Sequence, residues 1–127
     1  MRKVIQTEKA PKAIGPYSQA VEFNGTLFIS GQVALNPQTG QVVEGGIVEQ
    51  TRQVMENIGA ILEDSGYSFR DVVKSTCLLS DMNNFQAMNE VYGQYYPESP
   101  PARAAYQVSK LPLGVMVEIE TIAMKGK

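Results

Sequence analysis

Residues 19–31 read QAVEFNGTLFISG and carry the clearest fold signal in the chain. Two apolar runs flank Asn24 and Gly25, a pair in which both residues tolerate a positive φ, and this pattern predicts a tight β-hairpin. The second run, TLFIS, is apolar on successive residues and predicts a central strand buried on both faces. Upstream, KVIQT (Lys3 to Thr7) reads as a short strand, followed by a loop broken by proline and glycine.

Downstream of the hairpin, the hydrophobic period changes from that of strands to that of a helix. Between Gly46 and Gly66, apolar residues recur at steps of three and four. This spacing predicts an amphipathic helix that ends at Gly66, where the chain needs a positive φ. The next segment, DVVKSTCLLS (71–80), is β-branched and apolar, which predicts a strand.

A second helix is predicted after Asp81, a candidate N-cap, and the prolines at 97–101 would end it. ARAAYQV, from Ala102, reads as a fifth strand. Val115 to Met124 reads as a long last strand.

The predicted order is β-β-β-α-β-α-β-β in a single domain, residues 1–127. Six strands and two helices of this kind predict a two-layer α+β fold, a mixed sheet with both helices on one face. The other face would still carry apolar side chains, and burial in a closed homo-oligomer is the simplest way to cover them.

Composition narrows the function. The net charge of -2, with no cluster of basic residues, argues against nucleic acid or an anionic membrane as a partner. The chain has no histidine and a single cysteine, so His- or Cys-ligated metal sites and a histidine base are not expected. The N-terminus lacks the pattern of a secretory signal and no stretch has the length of a membrane span, so a cytoplasmic protein is expected.

Arg103 and Glu118 are the first candidates for chemistry. Arg103 stands at the start of an apolar strand, where it is either an ion-pair residue or a bidentate clamp for a substrate carboxylate. Alternation along the last strand puts Glu118 and Glu120 on one face. Either that face is solvated, or one glutamate lies in a pocket near Arg103 and activates water.

Other polar residues have both a structural and a functional interpretation. Tyr17 lies in a Gly-Pro loop and is either a packing aromatic or part of a pocket. Ser30 and Gly31 close the second hairpin strand, where the glycine either marks a strand-ending bulge or lets a ligand approach the backbone. Asn89 is either a local hydrogen-bonding residue or part of a pocket. Cys77 is expected to be a small buried apolar residue rather than a nucleophile.

Taken together, the segments IGPYSQAV, FISGQ, PARAAYQV and VEIE resemble the RidA (YjgF) family of enamine/imine deaminases, and the similarity runs from about Thr7 to Ala123. The resemblance implies a fold like that of Bacillus chorismate mutase and a homotrimer with a pocket at each subunit interface. It also implies hydrolysis of 2-iminobutanoate and 2-iminopropanoate to 2-oxo acids and ammonia, without a cofactor.

The resemblance further assigns residues to this pocket. It implies that Arg103 binds the substrate carboxylate and that Glu118 orients the water. Ala105 stands where many bacterial members carry cysteine, and because the family uses the backbone at that position, binding should survive the change. The implied substrate-binding set is Tyr17, Ser30, Gly31, Asn89, Arg103 and Ala105.

Two other functions remain open from the sequence. The same pocket would serve a non-enzymatic trimer that binds a small molecule and acts as a regulator or chaperone. A nuclease or translation inhibitor is less favoured, because the chain is acidic and lacks histidine.

Overall fold

Six strands and two helices follow one another in the predicted order in the computed structural model, which describes residues 1–126. Short 3₁₀ turns at Phe69–Asp71, Met82–Asn84 and Pro112–Gly114 join some of them. The elements are β1 (Lys3–Ile5), β2 (Ala20–Phe23), β3 (Thr26–Gln32), α1 (Ile47–Asp64), β4 (Val72–Leu79), α2 (Phe85–Gly93), β5 (Ala102–Gln107) and β6 (Val117–Met124).

The strands form one mixed sheet in the order β1-β2-β3-β6-β4-β5. All neighbours are antiparallel except β4 and β5, which are parallel. Parallel strands need a crossover connection, and α2 provides it here. The predicted α+β class with a six-stranded mixed sheet is therefore confirmed.

The hairpin prediction is confirmed in its geometry. Asn24 and Gly25 have φ values of 51° and 78°, and Phe23 pairs with Thr26 on either side of them. The prediction that the following strand is buried on both faces is wrong for the single chain. Leu27 and Ile29 are buried, but Phe28 between them is 48% exposed because the helices cover only one side of the sheet.

The core lies between the sheet and α1. The inward residues of β6, such as Val117 and Ile119, are fully buried. The apolar stripe of α1 packs over them and ends as predicted, with Gly66 at a φ of 81° just past the helix. No helix among residues 1–126 is long and apolar enough to cross a membrane.

Three predicted elements have wrong boundaries. The first strand ends at Ile5 rather than Thr7. The second helix ends at Gly93, before the prolines, and Asp81 caps a 3₁₀ turn that precedes it by accepting a hydrogen bond from the Asn83 amide. The last strand begins at Val117 rather than Val115, because the preceding turn places Leu113 at a φ of 59°.

The face of the sheet away from the helices, called here the open face, carries the apolar side chains that the sequence predicted. Phe28 of β3 and Met124 of β6 are both about half exposed on it, and Ile122 is partly so. Glu118 and Glu120 share this face, since they alternate with the buried residues of β6.

Candidate active site

Arg103 lies on β5 at the edge of the sheet, and its side chain turns toward α2. Its Nη1 donates a hydrogen bond of 2.7 Å to Asn89 Oδ1. The guanidinium also stacks over two rings of the same helix, with its carbon 5.3 Å from the ring centre of Phe85 and 5.0 Å from that of Tyr92. Cation–π attraction and one hydrogen bond thus fix the orientation of the half-buried arginine.

The positive charge of Arg103 has no acidic partner within the described chain. Among residues 1–126, the only ion pair with nitrogen and oxygen within 4.0 Å joins Arg70 to Glu98, at 3.7 Å on the surface. The groups that hold Arg103 are an amide oxygen and two aromatic faces, all neutral. The positive charge of the guanidinium and most of its five N–H donors are therefore available to bind an anion.

Phe85 and Tyr92 were not assigned to the site from the sequence, although a signal was present. Phe85, Asn89 and Tyr92 are spaced by four and then three residues, so they share one face of α2. The helix is too short and too apolar for that face to be told apart from an ordinary core stripe. Only the contacts of these three residues with Arg103 distinguish this face of α2 from a core stripe.

The sheet beneath Arg103 is lined with buried polar atoms. Ser75 pairs with Arg103 across the parallel strands, and Cys77 pairs with Ala105 one step further. Burial raises the pKa of the Cys77 thiol to about 11, although the nearby Arg103 charge acts in the opposite direction. The thiol is thus protonated at neutral pH, as expected for a buried structural cysteine.

Ala105 lies on an edge strand that pairs only with β4. The backbone groups of β5 that point away from β4 have no strand partner within the described chain. This position is compatible with the backbone role that the resemblance implies for Ala105.

Glu118 lies on the open face, half-buried against Gly31 of β3. A Cβ atom at residue 31 would overlap the Glu118 Oε2 and would lie 2.9 Å from its Cδ. Burial, and then the neighbouring Glu120 charge, raise the pKa of Glu118 above its ordinary value. A carboxylate with a raised pKa is a better base for water than an ordinary surface glutamate.

The loop that carries Tyr17 is tied to β3. Ser30 Oγ donates a hydrogen bond of 2.6 Å to the Ser18 carbonyl, and the Tyr17 hydroxyl accepts one from the Ile14 amide at 3.3 Å. Tyr17 and Ser30 line an open surface cavity of about 640 Å³. Glu120 also lines this cavity, whereas Glu118 does not.

Gln19 anchors the same loop and was not identified from the sequence. Its Oε1 accepts a hydrogen bond from the Thr7 amide at 2.7 Å, and its Nε2 donates to the Pro11 carbonyl at 2.7 Å. The residue is 97% buried, since its exposed fraction is 3%. No spacing rule singles out such a glutamine, because its partners are backbone groups of an irregular loop.

The predicted site residues thus fall into two groups in one chain. Asn89 and Arg103 meet on the helix-covered face at the β5 edge, whereas Gly31 and Glu118 meet on the open face. Arg103 and Glu118 do not share a pocket within one chain, so the expected pocket that holds both stays a prediction for an interface between copies of the chain. Among residues 1–126 no group of three or more metal-ligating side chains is assembled.

The fold and these side chains define a small α+β domain with an uncompensated arginine at a sheet edge. The family model described as Endoribonuclease L-PSP matches residues 7–125. The chain belongs to this family, the RidA (YjgF) family, as the sequence motifs indicated.

Full-length relatives are close to this chain. A RutC family protein of Pyrococcus horikoshii is 58% identical, over 98% of this chain and 99% of the relative. The 2-iminobutanoate/2-iminopropanoate deaminase of Mus musculus is 57% identical, over 99% of this chain and 93% of the relative. The human protein of that name is 52% identical, over 99% and 92%.

Solved structures share the fold closely. RidA from the Antarctic bacterium Psychrobacter sp. PAMC 21119 has a TM-score of 0.93 and 48% identity, and the match covers 97% of this chain and 99% of that one. E. coli TdcF with bound serine has the same TM-score and 40% identity, with 98% and 99% covered.

Proposed function

We propose that this protein is an imine deaminase that hydrolyses 2-iminobutanoate, 2-iminopropanoate and their enamine tautomers to 2-oxo acids and ammonia. The observation that carries the proposal is the state of Arg103. Its guanidinium is half-buried and oriented by Asn89 and two rings, and no carboxylate of the described chain neutralises it. Such a group suits a small anionic substrate.

Arg103 would bind the carboxylate of the substrate. A guanidinium presents paired N–H groups that match a carboxylate in bidentate geometry, and one Nη1 hydrogen bond to Asn89 leaves donors free for this. The reacting C=N carbon is adjacent to the carboxylate in a 2-imino acid. Fixing the carboxylate therefore also places the carbon that reacts.

Glu118 would act on the water. The imine nitrogen of the substrate is protonated, and the Glu118 carboxylate accepts a proton as the water oxygen bonds to the iminium carbon, giving a carbinolamine with an amino group. Return of that proton to the amino nitrogen makes ammonia the leaving group. Glu118 accepts the proton of the hydroxyl group as the C–N bond breaks and the C=O bond of the 2-oxo acid forms, and this proton then passes to the released ammonia. The half-buried position of Glu118 raises its pKa, which favours these proton transfers near neutral pH.

The site would be shared between copies of the chain, because Arg103 and Glu118 lie on opposite faces of the sheet. We place Arg103, Asn89 and the Ala105 backbone of one copy opposite Glu118 and Gly31 of a neighbour, in a homotrimer. The exposed apolar side chains of the open face support such contact. Tyr17 and Ser30 would border the same cleft from their cavity.

The relatives support this substrate class. The mouse and human proteins are named for deamination of 2-iminobutanoate and 2-iminopropanoate, and both align over 99% of this chain. The bound serine of E. coli TdcF carries a carboxylate next to its amino-bearing carbon, as the proposed substrates do next to their imine carbon.

A coupled assay tests the activity. Threonine dehydratase generates 2-iminobutanoate, and we expect the protein to speed the appearance of 2-oxobutanoate. Arg103→Ala should abolish the acceleration with the fold intact, whereas Arg70→Ala, at an exposed arginine, should not. A protein that binds 2-oxo acids without accelerating the reaction would instead be the small-molecule-binding regulator or chaperone.

Mixing two inactive variants tests the shared site. In hybrid trimers of Arg103→Ala and Glu118→Gln chains, each site would combine residues from two copies, and random mixing would leave about one quarter of the sites intact. We expect activity to return when the two variants are unfolded and refolded together. If Arg103 and Glu118 act from one chain, mixing would restore nothing.

Nuclease activity, which the name of the family model raises, is not favoured by this chain. The net charge is -2, and no histidine is present to act as a base. RNA cleavage that survives both stringent repurification and Arg103→Ala would support that alternative.

A further inference from the structure

Gly31 is the only glycine within a β-strand of the described chain, and a positive φ does not explain it. It lies where the pairing of β3 with β6 shifts register, between Ile29 and Gln32. The glycines at 25, 40, 45, 66 and 114, in contrast, all have positive φ. The space around position 31 gives a further reason for glycine there.

That space is occupied by the Glu118 side chain. A Cβ at position 31 would overlap Oε2 and would come within 2.9 Å of Cδ and 3.1 Å of Cγ. Because three successive atoms are close, rotation of the carboxylate alone would not relieve the overlap. The whole end of the Glu118 side chain would have to move.

We infer that Gly31 is a positioning residue: it lacks a side chain so that the Glu118 carboxyl group can lie against β3 at the place where it acts on water. The inference rests on the proposed function, since it concerns the glutamate of that site. It assigns Gly31 a role that is separate from any contact between its backbone and the substrate.

The geometry separates this role from a structural one. The atoms that a Cβ would strike belong to the far end of a flexible, half-buried side chain on the open face. Glu118 can rotate away at little conformational cost. We therefore expect Gly31→Ala to leave the fold stable and the oligomer intact while it displaces the carboxylate.

The first measurement is steady-state kinetics of Gly31→Ala in the dehydratase-coupled assay. We expect kcat to fall about hundredfold or more, as for loss of a positioned acid–base group, with a smaller change in KM. Gly93→Ala is the matched control, because Gly93 is exposed in α2, has no atom near its Cβ position and should keep wild-type kinetics. A rise in KM with kcat unchanged would overturn the inference.

The second measurement is a double-mutant cycle with Glu118→Gln. If Gly31 acts through the glutamate, Gly31→Ala should cost nothing further once Glu118 has lost its carboxylate chemistry. If Gly31 serves only to contact substrate, the two losses should multiply. Multiplication would contradict the positioning role.

A stability cycle keeps the inference testable if Gly31→Ala lowers the melting temperature. Glu118→Ala removes the colliding atoms, so Gly31→Ala should then be tolerated, and the double variant should melt above Gly31→Ala alone. Equal destabilisation in both backgrounds would show that residue 31 does not act through Glu118.

Failure of the proposed function and failure of the positioning role of Gly31 would give different results. Full turnover in Glu118→Gln would contradict the proposed role of the glutamate itself. Lost turnover in Glu118→Gln together with wild-type kinetics in Gly31→Ala would leave the proposed function standing and refute only the positioning role of Gly31.

Discussion

Arg103 donates a 2.7 Å hydrogen bond to the side-chain amide of Asn89, and not to a carboxylate. An amide oxygen orients a guanidinium without cancelling its charge. Aspartate at that position would occupy nearly the same volume and would form an ion pair. The choice between amide and acid at residue 89 therefore decides whether the arginine can attract an anion.

We expect Asn89→Asp to weaken substrate binding and leave the fold unchanged. The new carboxylate would pair with Arg103 and compete with the substrate, so KM should rise about tenfold or more, or about 1.4 kcal/mol. Gln86→Glu is the control, because it makes the same amide-to-acid change at an exposed residue of α2. An unchanged KM in Asn89→Asp would show that the charge of Arg103 is not used for binding.

Arg103→Lys separates charge from shape. Lysine keeps the positive charge but loses the planar fork and its stacking on Phe85 and Tyr92. We expect kcat/KM to fall at least tenfold, with a smaller loss than in Arg103→Ala. Wild-type kcat/KM in the lysine variant, measured in the coupled assay, would mean that the substrate needs only a point charge.

The acid limb of the pH–rate profile should report on Glu118. Burial raises its pKa, and the Glu120 charge raises it further. Since the proposed base must be ionised, kcat should fall as the pH drops through this raised pKa. Glu120→Gln removes the repulsion and should move the acid limb to lower pH, whereas Glu63→Gln, on an exposed part of α1, should not. If the acid limb of the pH–rate profile does not move in Glu120→Gln, Glu118 is not the group that titrates there.

The raised pKa of Glu118 also affects how the stability of the fold depends on pH. A carboxyl group whose pKa is raised by folding binds more protons in the native state than in the unfolded one. It therefore costs stability as the pH rises from the ordinary value of 4.5 through the raised pKa. Glu120→Gln should reduce this loss, which urea unfolding at several pH values would measure.

The Cys77 thiol should be nearly inert in the native protein. Its side chain is fully buried, and with a pKa of about 11 only about one thiol in a thousand is ionised at pH 8. We expect iodoacetamide to label the protein in urea but not the folded chain, with activity unchanged after exposure. Rapid labelling of the folded protein would contradict this burial.

Much of the fold could be predicted because local patterns and packing agree. Asn24 and Gly25 determine the hairpin turn. The alternation along β6 places Glu118 on the face of the strand away from the buried Val117 and Ile119. Burial of TLFIS could not be predicted correctly. The exposure of Phe28 depends on which face the helices leave uncovered, and an apolar run does not encode that.

The position of Arg103 was harder to predict than that of Glu118. The sequence ARAAYQ has no apolar alternation, and none of its side chains is fully buried, so nothing in it marks the face on which Arg103 lies. Its placement follows from the parallel register with β4 and from the packing of α2, which are long-range contacts. The separation of Arg103 and Glu118 could be seen only once the strands were assembled.

In the proposed trimer, that separation would link turnover to protein concentration. A single chain that holds Arg103 on one face of its sheet and Glu118 on the other would then be folded but inactive. In the proposed arrangement, progressive dilution should lower the specific activity per chain as trimers dissociate, while the circular dichroism of each chain persists. The total activity would then rise more steeply than in direct proportion to the cellular concentration of the protein.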